Sequence, residues 1–150
     1  MIVYRISALK YADRIQPSGI EARWNRKGQK VIYTSGSRSL ACLENVVHRS
    51  QRGLGELFKT LVIEVPDYLK MEITEKKTLP VGWNRNDKYR VCQEIGSAWF
   101  TSGNSVILKV PSALVPQENN YILNTVHPDF KSIRLVDAEE FYFDSRFLPI

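Results

Sequence analysis

The 150-residue chain fits one compact domain, residues 1–150, and leaves little room for a second complete core. With 43% hydrophobic and 25% charged residues, its composition is that of an ordinary globular protein, which excludes the disordered and fibrous classes. The net charge of +5 arises in the first half, with 12 Lys/Arg against 8 Asp/Glu in residues 1–75 and 9 against 8 in 76–150; no five like charges run together, so nucleic acid gains no special support over a dinucleotide or an acidic partner.

In chain order, "IVYRIS" (2–7) carries the β-branched and aromatic residues of a strand. The opening "MIVYRISALKYADR" is too polar for a signal peptide, and no apolar run reaches the length of a spanning helix, so a cytoplasmic protein without membrane association is expected. Next comes "ARWNRKG", where Asn25 and Gly28 signal a turn. Its Arg23, flanked by Ala22 and Trp24, has the planar fork suited to phosphate or carboxylate. "KVIYTS" (30–35) reads as a strand with Val31 and Tyr33 on one face and Ile32 and Thr34 on the other. A tyrosine there serves either as core or as part of a site.

Residues 38–49 place Leu40, Leu43, Val46 and Val47 on one stripe of a helix, with Ser37 or Ser39 as its N-cap. Glu44 borders that stripe. A carboxylate so placed is either a structural partner for a neighbouring group or a working one. His48, one turn on, reads as a favourable cation at the helix C-terminus.

"TLVIEV" (60–65) is a further strand, and 66–86, broken by Pro66, Pro80 and Gly82, reads as a long connection. A second helix is expected from about Asp87 to Phe100, with Val91, Cys92, Ile95 and Trp99 inward, Asp87 capping and Gly103 beyond its end. "SVILKV" (105–110), "NYILN" (120–124) and "EFYFD" (140–144) complete the strands. Between the first two of these lies Ser112, at a strand mouth between Pro111 and Pro116, where it either forms a turn or hydrogen-bonds a ligand. The lack of regular strand–helix alternation predicts an α+β fold with a mixed or antiparallel sheet and a few helices.

Several chemistries find no support. His48 and His127 lack companions at zinc-ligand spacing, so no metal site is expected. G-x-S-x-G, P-loop and G-x-G-x-x-G patterns are missing, which argues against a serine hydrolase and the common nucleotide folds. Cys42 and Cys92 read as buried small hydrophobes.

Four stretches, "VYRI" (3–6), "ARWNRKGQKVIYTSGSRSLACLENVVH" (22–48), "VPSALVPQENNYILN" (110–124) and "HPDF" (127–130), together resemble the RES-domain toxins, over roughly residues 2–135 and in family order. The resemblance departs at Glu21 and Ala22, where the family often has glycines. It implies an ADP-ribosyltransferase-like fold and the toxin of a bacterial type II toxin–antitoxin system. The implied activity depletes NAD, a substrate rather than a prosthetic group, by hydrolysis or phosphorolysis of the nicotinamide–ribose bond. The implied partner is an Xre-type DNA-binding antitoxin that blocks the active site, so that the chain itself binds no nucleic acid; a homodimer within that complex is a further expectation. Carried over residue by residue, the catalytic set is Arg23, Tyr33, Glu44 and Ser112, with Arg23, Asn25, Tyr33 and Ser112 binding NAD. ADP-ribosylation of a protein is the first alternative, and an RNA-cleaving or RNA-binding toxin the second, although the two histidines lie in unrelated settings for ribonuclease chemistry.

Overall fold

The strands β1 (Ile2–Ala8), β2 (Val31–Ser35), β3 (Phe58–Glu64), β4 (Met71–Ile73), β5 (Ile107–Pro111), β6 (Asn119–Asn124) and β7 (Arg134–Phe141) join in one sheet of order β4-β5-β6-β2-β1-β3-β7. A computed structural model describes residues 1–48 and 57–147 of the chain. Only β4 and β5 run parallel; all other neighbours are antiparallel. Two helices, α1 (Arg38–His48) and α2 (Arg90–Ser102), complete an α+β domain, as the segment pattern predicts.

Strand alternation sorts the core into two layers. Val3, Ile32, Leu61, Ile63, Ile107 and Leu123 pack on one side of the sheet, and Val31, Leu108, Val110 and Ile122 pack on the other with Trp24, Trp83, Cys92 and Trp99. The register pairs Tyr4 with Ser35, Tyr33 with Ile122, and Ser35 with Asn120, so these five residues face the second side. That side carries both helices. α2 lies there through Cys92 and Trp99, and α1 reaches Tyr4, over whose ring the Arg38 guanidinium sits 4.4 Å from the centroid.

The sheet has a seam. Seven residue pairs join β1 to β3 and five join β2 to β6, but Tyr4–Ser35 is the one pair joining β1 to β2 among the described residues. Side chains take over where the ladder stops, as buried backbone groups need partners. Asn45 of α1 donates to the Ile6 carbonyl (3.2 Å), and Arg5 reaches the Tyr33 carbonyl (3.5 Å). α1 thus straddles the seam, its Arg38 bonded to Glu139 on β7 (2.8 Å from Nε) and its capping Ser37 bonded to Glu118 beside β6 (3.3 Å).

Four details depart from the sequence expectations. β4 lies inside the stretch read as a connection; three residues are too few to give a periodic signal. The last strand is 134–141 rather than 140–144, because β7 pairs along the whole of β3 with a register shift at Val62/Ile63, while Phe143 beyond it packs edge-on against Phe58 (5.0 Å) and Phe141 (4.8 Å). Asp87 does not cap α2: it pairs with Arg85 inside a 3-10 turn at Asn86–Lys88, and Tyr89 holds the N-cap position without a side-chain cap bond. On α1, Leu40 and Ala41 are buried whereas Val47 is 53% exposed, so this helix rests on the sheet through its first turns. Ser37 is its cap, accepting from the Leu40 N–H (3.1 Å); the expected helix end at residue 49 lies outside the described residues. Gly103 closes α2 in the left-handed region at φ 60°, as expected.

No helix among the described residues is long and apolar enough to cross a membrane. α2 approaches the turn at 22–25 so closely that a Cβ on Gly96 would lie 1.8 Å from the Trp24 carbonyl oxygen. Backbone cannot swing aside as a side-chain tip can. Gly96→Ala is therefore expected to destabilise the fold by about 3 kcal/mol or more despite alanine's better helix propensity, lowering the melting temperature by roughly 6–12 °C in a thermal scan.

Candidate active site

Glu44 is the centre of the helix-bearing face. It projects from α1 over β6 and the end of β5, and its Oε1 accepts from Ser112 Oγ (2.9 Å) and Asn120 Nδ2 (2.6 Å). Both donors are held from behind. Ser112 is fully buried, and its hydroxyl oxygen accepts the Leu114 and Val115 N–H groups (3.1 Å each), which leaves its single proton for Glu44. Asn120 Oδ1 accepts from Ser35 Oγ (2.8 Å), which turns the amide N–H toward the carboxylate.

The other oxygen is different. Glu44 Oε2 has His48 Nε2 at 3.5 Å and no other partner among the described residues, and the glutamate side chain keeps 20% of its exposure while His48 keeps 75%. Burial alone would raise the carboxyl's pKa, but the bonds from His48, Asn120 and Ser112 outweigh it and hold the group below the usual glutamate value of 4.5. The group is ionised at neutral pH.

Tyr33 lies on β2 with its ring packed in the second core layer. Its hydroxyl donates to Asn25 Oδ1 (2.8 Å) and accepts the Trp24 N–H (2.9 Å), so it ties the 22–25 turn to the sheet. Burial pushes the phenol well above the usual tyrosine range, and the charges of both Arg23 and Glu44 act on it in opposite senses. Tyr33 therefore stands within electrostatic reach of both. Asn25 is completely buried, and its amide donates to the Ile20 (2.9 Å) and Arg26 (3.1 Å) carbonyls. With its Oδ1 on Tyr33, every polar group of that side chain serves the turn.

Arg23 is engaged more fully than a bare phosphate grip would be. Nη1 donates to the Trp83 (2.8 Å) and Arg85 (3.2 Å) carbonyls, and Nη2 to the Asn84 carbonyl (3.2 Å) and Asn86 Oδ1 (3.5 Å). These are neutral acceptors, so the loop 83–86 is strapped down while no carboxylate among the described residues pairs with the positive charge. Gln93 of α2 secures the same turn by donating to the Ala22 (3.3 Å) and Asn25 (3.0 Å) carbonyls.

The fold thus brings Glu44 and Ser112 into direct contact and joins Asn25 to Tyr33 through the phenol, whereas the Arg23 side chain, on the same turn, is bonded to the 83–86 loop. Sequence reading missed Ser35 and Asn120. Ser35 stands between Thr34 and Gly36, and Asn120 ends the polar cluster Gln117–Asn120, whose position just before a strand was the one available signal. No group of three or more His, Cys, Asp or Glu residues among the described residues could hold a metal.

Two outcomes test this geometry. Tyr33→Phe leaves the Trp24 N–H and Asn25 Oδ1 without their partner and is expected to cost about 1–3 kcal/mol, read as a lower urea midpoint at unchanged slope. The depressed Glu44 carboxyl contributes stability that is fully present above its unfolded value near 4.5 and is lost as pH falls through the lower folded value. Glu44→Gln should flatten that part of the stability–pH curve.

Comparison with known proteins places this geometry in a family. The RES domain model matches residues 2–144. The protein named Prs ADP-ribosylating toxin, from a Sphingobium species, is 37% identical over 91% of this chain and 88% of its own length. The protein named Toxin Res from Photorhabdus laumondii is 40% identical over 97% of this chain and 96% of its own. Its namesake from Yersinia enterocolitica is 36% identical over 97% and 99%. Among solved structures, the crystal structure of the M. tuberculosis MbcT–MbcA toxin–antitoxin complex superposes with a TM-score of 0.76 at 16% identity, over 93% of this chain and 83% of that one, so the fold is shared although the sequences have diverged. On the match along nearly its whole length, the chain belongs to the RES domain family.

Proposed function

We propose that this chain is the toxin of a bacterial type II toxin–antitoxin pair and arrests growth in the cytoplasm by cleaving the bond between nicotinamide and ribose in NAD. The observation that carries this reading is an ionised carboxylate fixed at one oxygen by Ser112 and Asn120 and met at the other by the largely exposed His48, with Arg23 on the 22–25 turn bonded to uncharged oxygens. The family and the names of its relatives support the substrate.

Breaking the ribose–nicotinamide bond sends its electron pair to the departing nicotinamide, which leaves neutral, while positive charge develops on the ribose as in glycoside hydrolysis. Glu44 Oε2 faces that charge or accepts from a ribose hydroxyl, and the charge stabilisation is larger for being preorganised. Tyr33 orients the nicotinamide through its ring, and Ser112 acts by holding Glu44. Arg23 supplies positive potential for the pyrophosphate and keeps the 83–86 loop in place. Asn25 supports both through the turn. Water as acceptor yields ADP-ribose and a proton; inorganic phosphate yields ADP-ribose-1″-phosphate.

A second reading, transfer of ADP-ribose to a protein side chain, draws on the Sphingobium relative's name. It shares every step before capture by the acceptor. An RNA-directed toxin has less behind it, because His48 contacts Glu44 whereas His127 is bonded to Gly103 and Asp129, each serving a different element.

The partner we propose is an Xre-type antitoxin, one end of which covers the Glu44 face; a homodimer within that complex belongs to the same reading. Co-expression from the paired operon followed by co-purification tests it, and wild-type toxin recovered alone would count against it.

Purified chain incubated with NAD, with and without phosphate, is expected to release free nicotinamide, and the companion product identifies the acceptor. RNA shortened with the NAD pool intact would overturn the reading. Arg23→Ala and Glu44→Ala should abolish growth arrest in folded protein, Glu44→Ala lowering nicotinamide release by about 10²–10³-fold. The acid limb of that release should lie below pH 4.5, since the carboxyl is held below its ordinary value.

A further inference from the structure

Asn120 is buried on β6, at 8% exposure, on the one strand flanked by both β2 and β5. Its cross-strand partners are Ser35 and Val110, and its 2.6 Å bond to Glu44 is the shortest that the carboxylate makes. A hydrogen-bonded chain therefore runs from Ser35 through Asn120 to Glu44, with Ser112 arriving at the same oxygen from the other side.

The chain has only one workable polarity. An ionised carboxylate accepts and cannot donate, so the Asn120 amide must present its N–H₂ group; the carbonyl end then faces Ser35, whose hydroxyl must donate. Reversing the amide would set its oxygen against the Glu44 oxygen at 2.6 Å, two acceptors without a proton between them. A protonated Glu44 would gain nothing at Oε1, where both neighbours already donate. Resting on the function proposed above, we propose that Asn120, oriented by Ser35, is a positioning residue for the reaction: it locks Oε1 of Glu44 and so presents Oε2 to the ligand in a fixed place.

Among the described residues, two titratable groups face this carboxylate: His48 from its own helix at 3.5 Å and the Tyr33 phenol from β2, while Ser112 and Asn120 from the β5–β6 hairpin are neutral. Both titratable groups stay in place in every variant below, so differences belong to the relay.

Asn120→Asp is nearly isosteric but replaces the donor with a second acid. The expected results are a fall in kcat for nicotinamide release of about tenfold or more with KM for NAD little changed, and an acid limb moved up by about one pH unit or more. Ser35→Ala, which frees the amide to rotate, should produce the same two changes at smaller size, and it carries the test if Asn120→Asp fails to fold. A second readout does not need the reaction: the Glu44 carboxyl titrated by carbon NMR, assigned with Glu44→Gln, should move up in both variants. If the wild-type chain releases no nicotinamide, the proposed function fails and this titration still judges the relay. Folded variants with unchanged Glu44 titration, or with kcat and pH profile like wild type, would overturn the assignment of Asn120.

Discussion

A carboxylate taken out of water stays charged only if fixed donors replace what the water gave. Around Glu44 that replacement is asymmetric. Ser112 and Asn120 converge on Oε1, each with its own acceptor capacity already spent, on two backbone amides and on Ser35 respectively. The helix, the β5–β6 hairpin and the central strands must all hold their places for these bonds to exist together. Much of the architecture on this face can be understood as the means of meeting that one requirement: Ser37 anchors the start of α1 to Glu118 of the hairpin, and strand register sets Ser35 opposite Asn120.

Arg23 shows how a charged group can be structural and electrostatic at once. Its four contacts with residues 83–86 are all to uncharged oxygens, so the guanidinium organises a loop without losing its field. Burial raises the Tyr33 phenol and the Cys92 thiol above their ordinary ranges, and that field offsets part of the rise in each. The turn carrying Arg23 is in turn pinned by Asn25, Tyr33 and Gln93, and Gly96 leaves the room for it.

How much of this could be read from the chain alone varied with the range of the interaction. Local patterns were legible: the alternation of Val31 to Thr34, the capping Ser37 and the closing Gly103 follow from residue type and neighbours. β4 and the displaced β7 were not, because their strand character comes from pairing with β5 and β3 rather than from their own composition. The site divided in the same way. Glu44 beside an apolar stripe and Arg23 beside a turn stood out, and family resemblance joined them with Tyr33 and Ser112. Asn120 was invisible as a functional group, since nothing near it in sequence hints that it meets Glu44, 76 residues away. Nor could the chain show that Asn25 and the Tyr33 hydroxyl would spend their hydrogen bonds on each other.

The single Tyr4–Ser35 pairing between β1 and β2 has a mechanical corollary. α1 lies across that junction, bonded to Ile6 and Glu139 on one half of the sheet and to Ser112, Asn120 and Glu118 on the other. Any hinging of the halves must therefore pull on the helix that bears Glu44. In such a molecule, the geometry around the carboxylate is tied to the mechanical integrity of the junction beneath it.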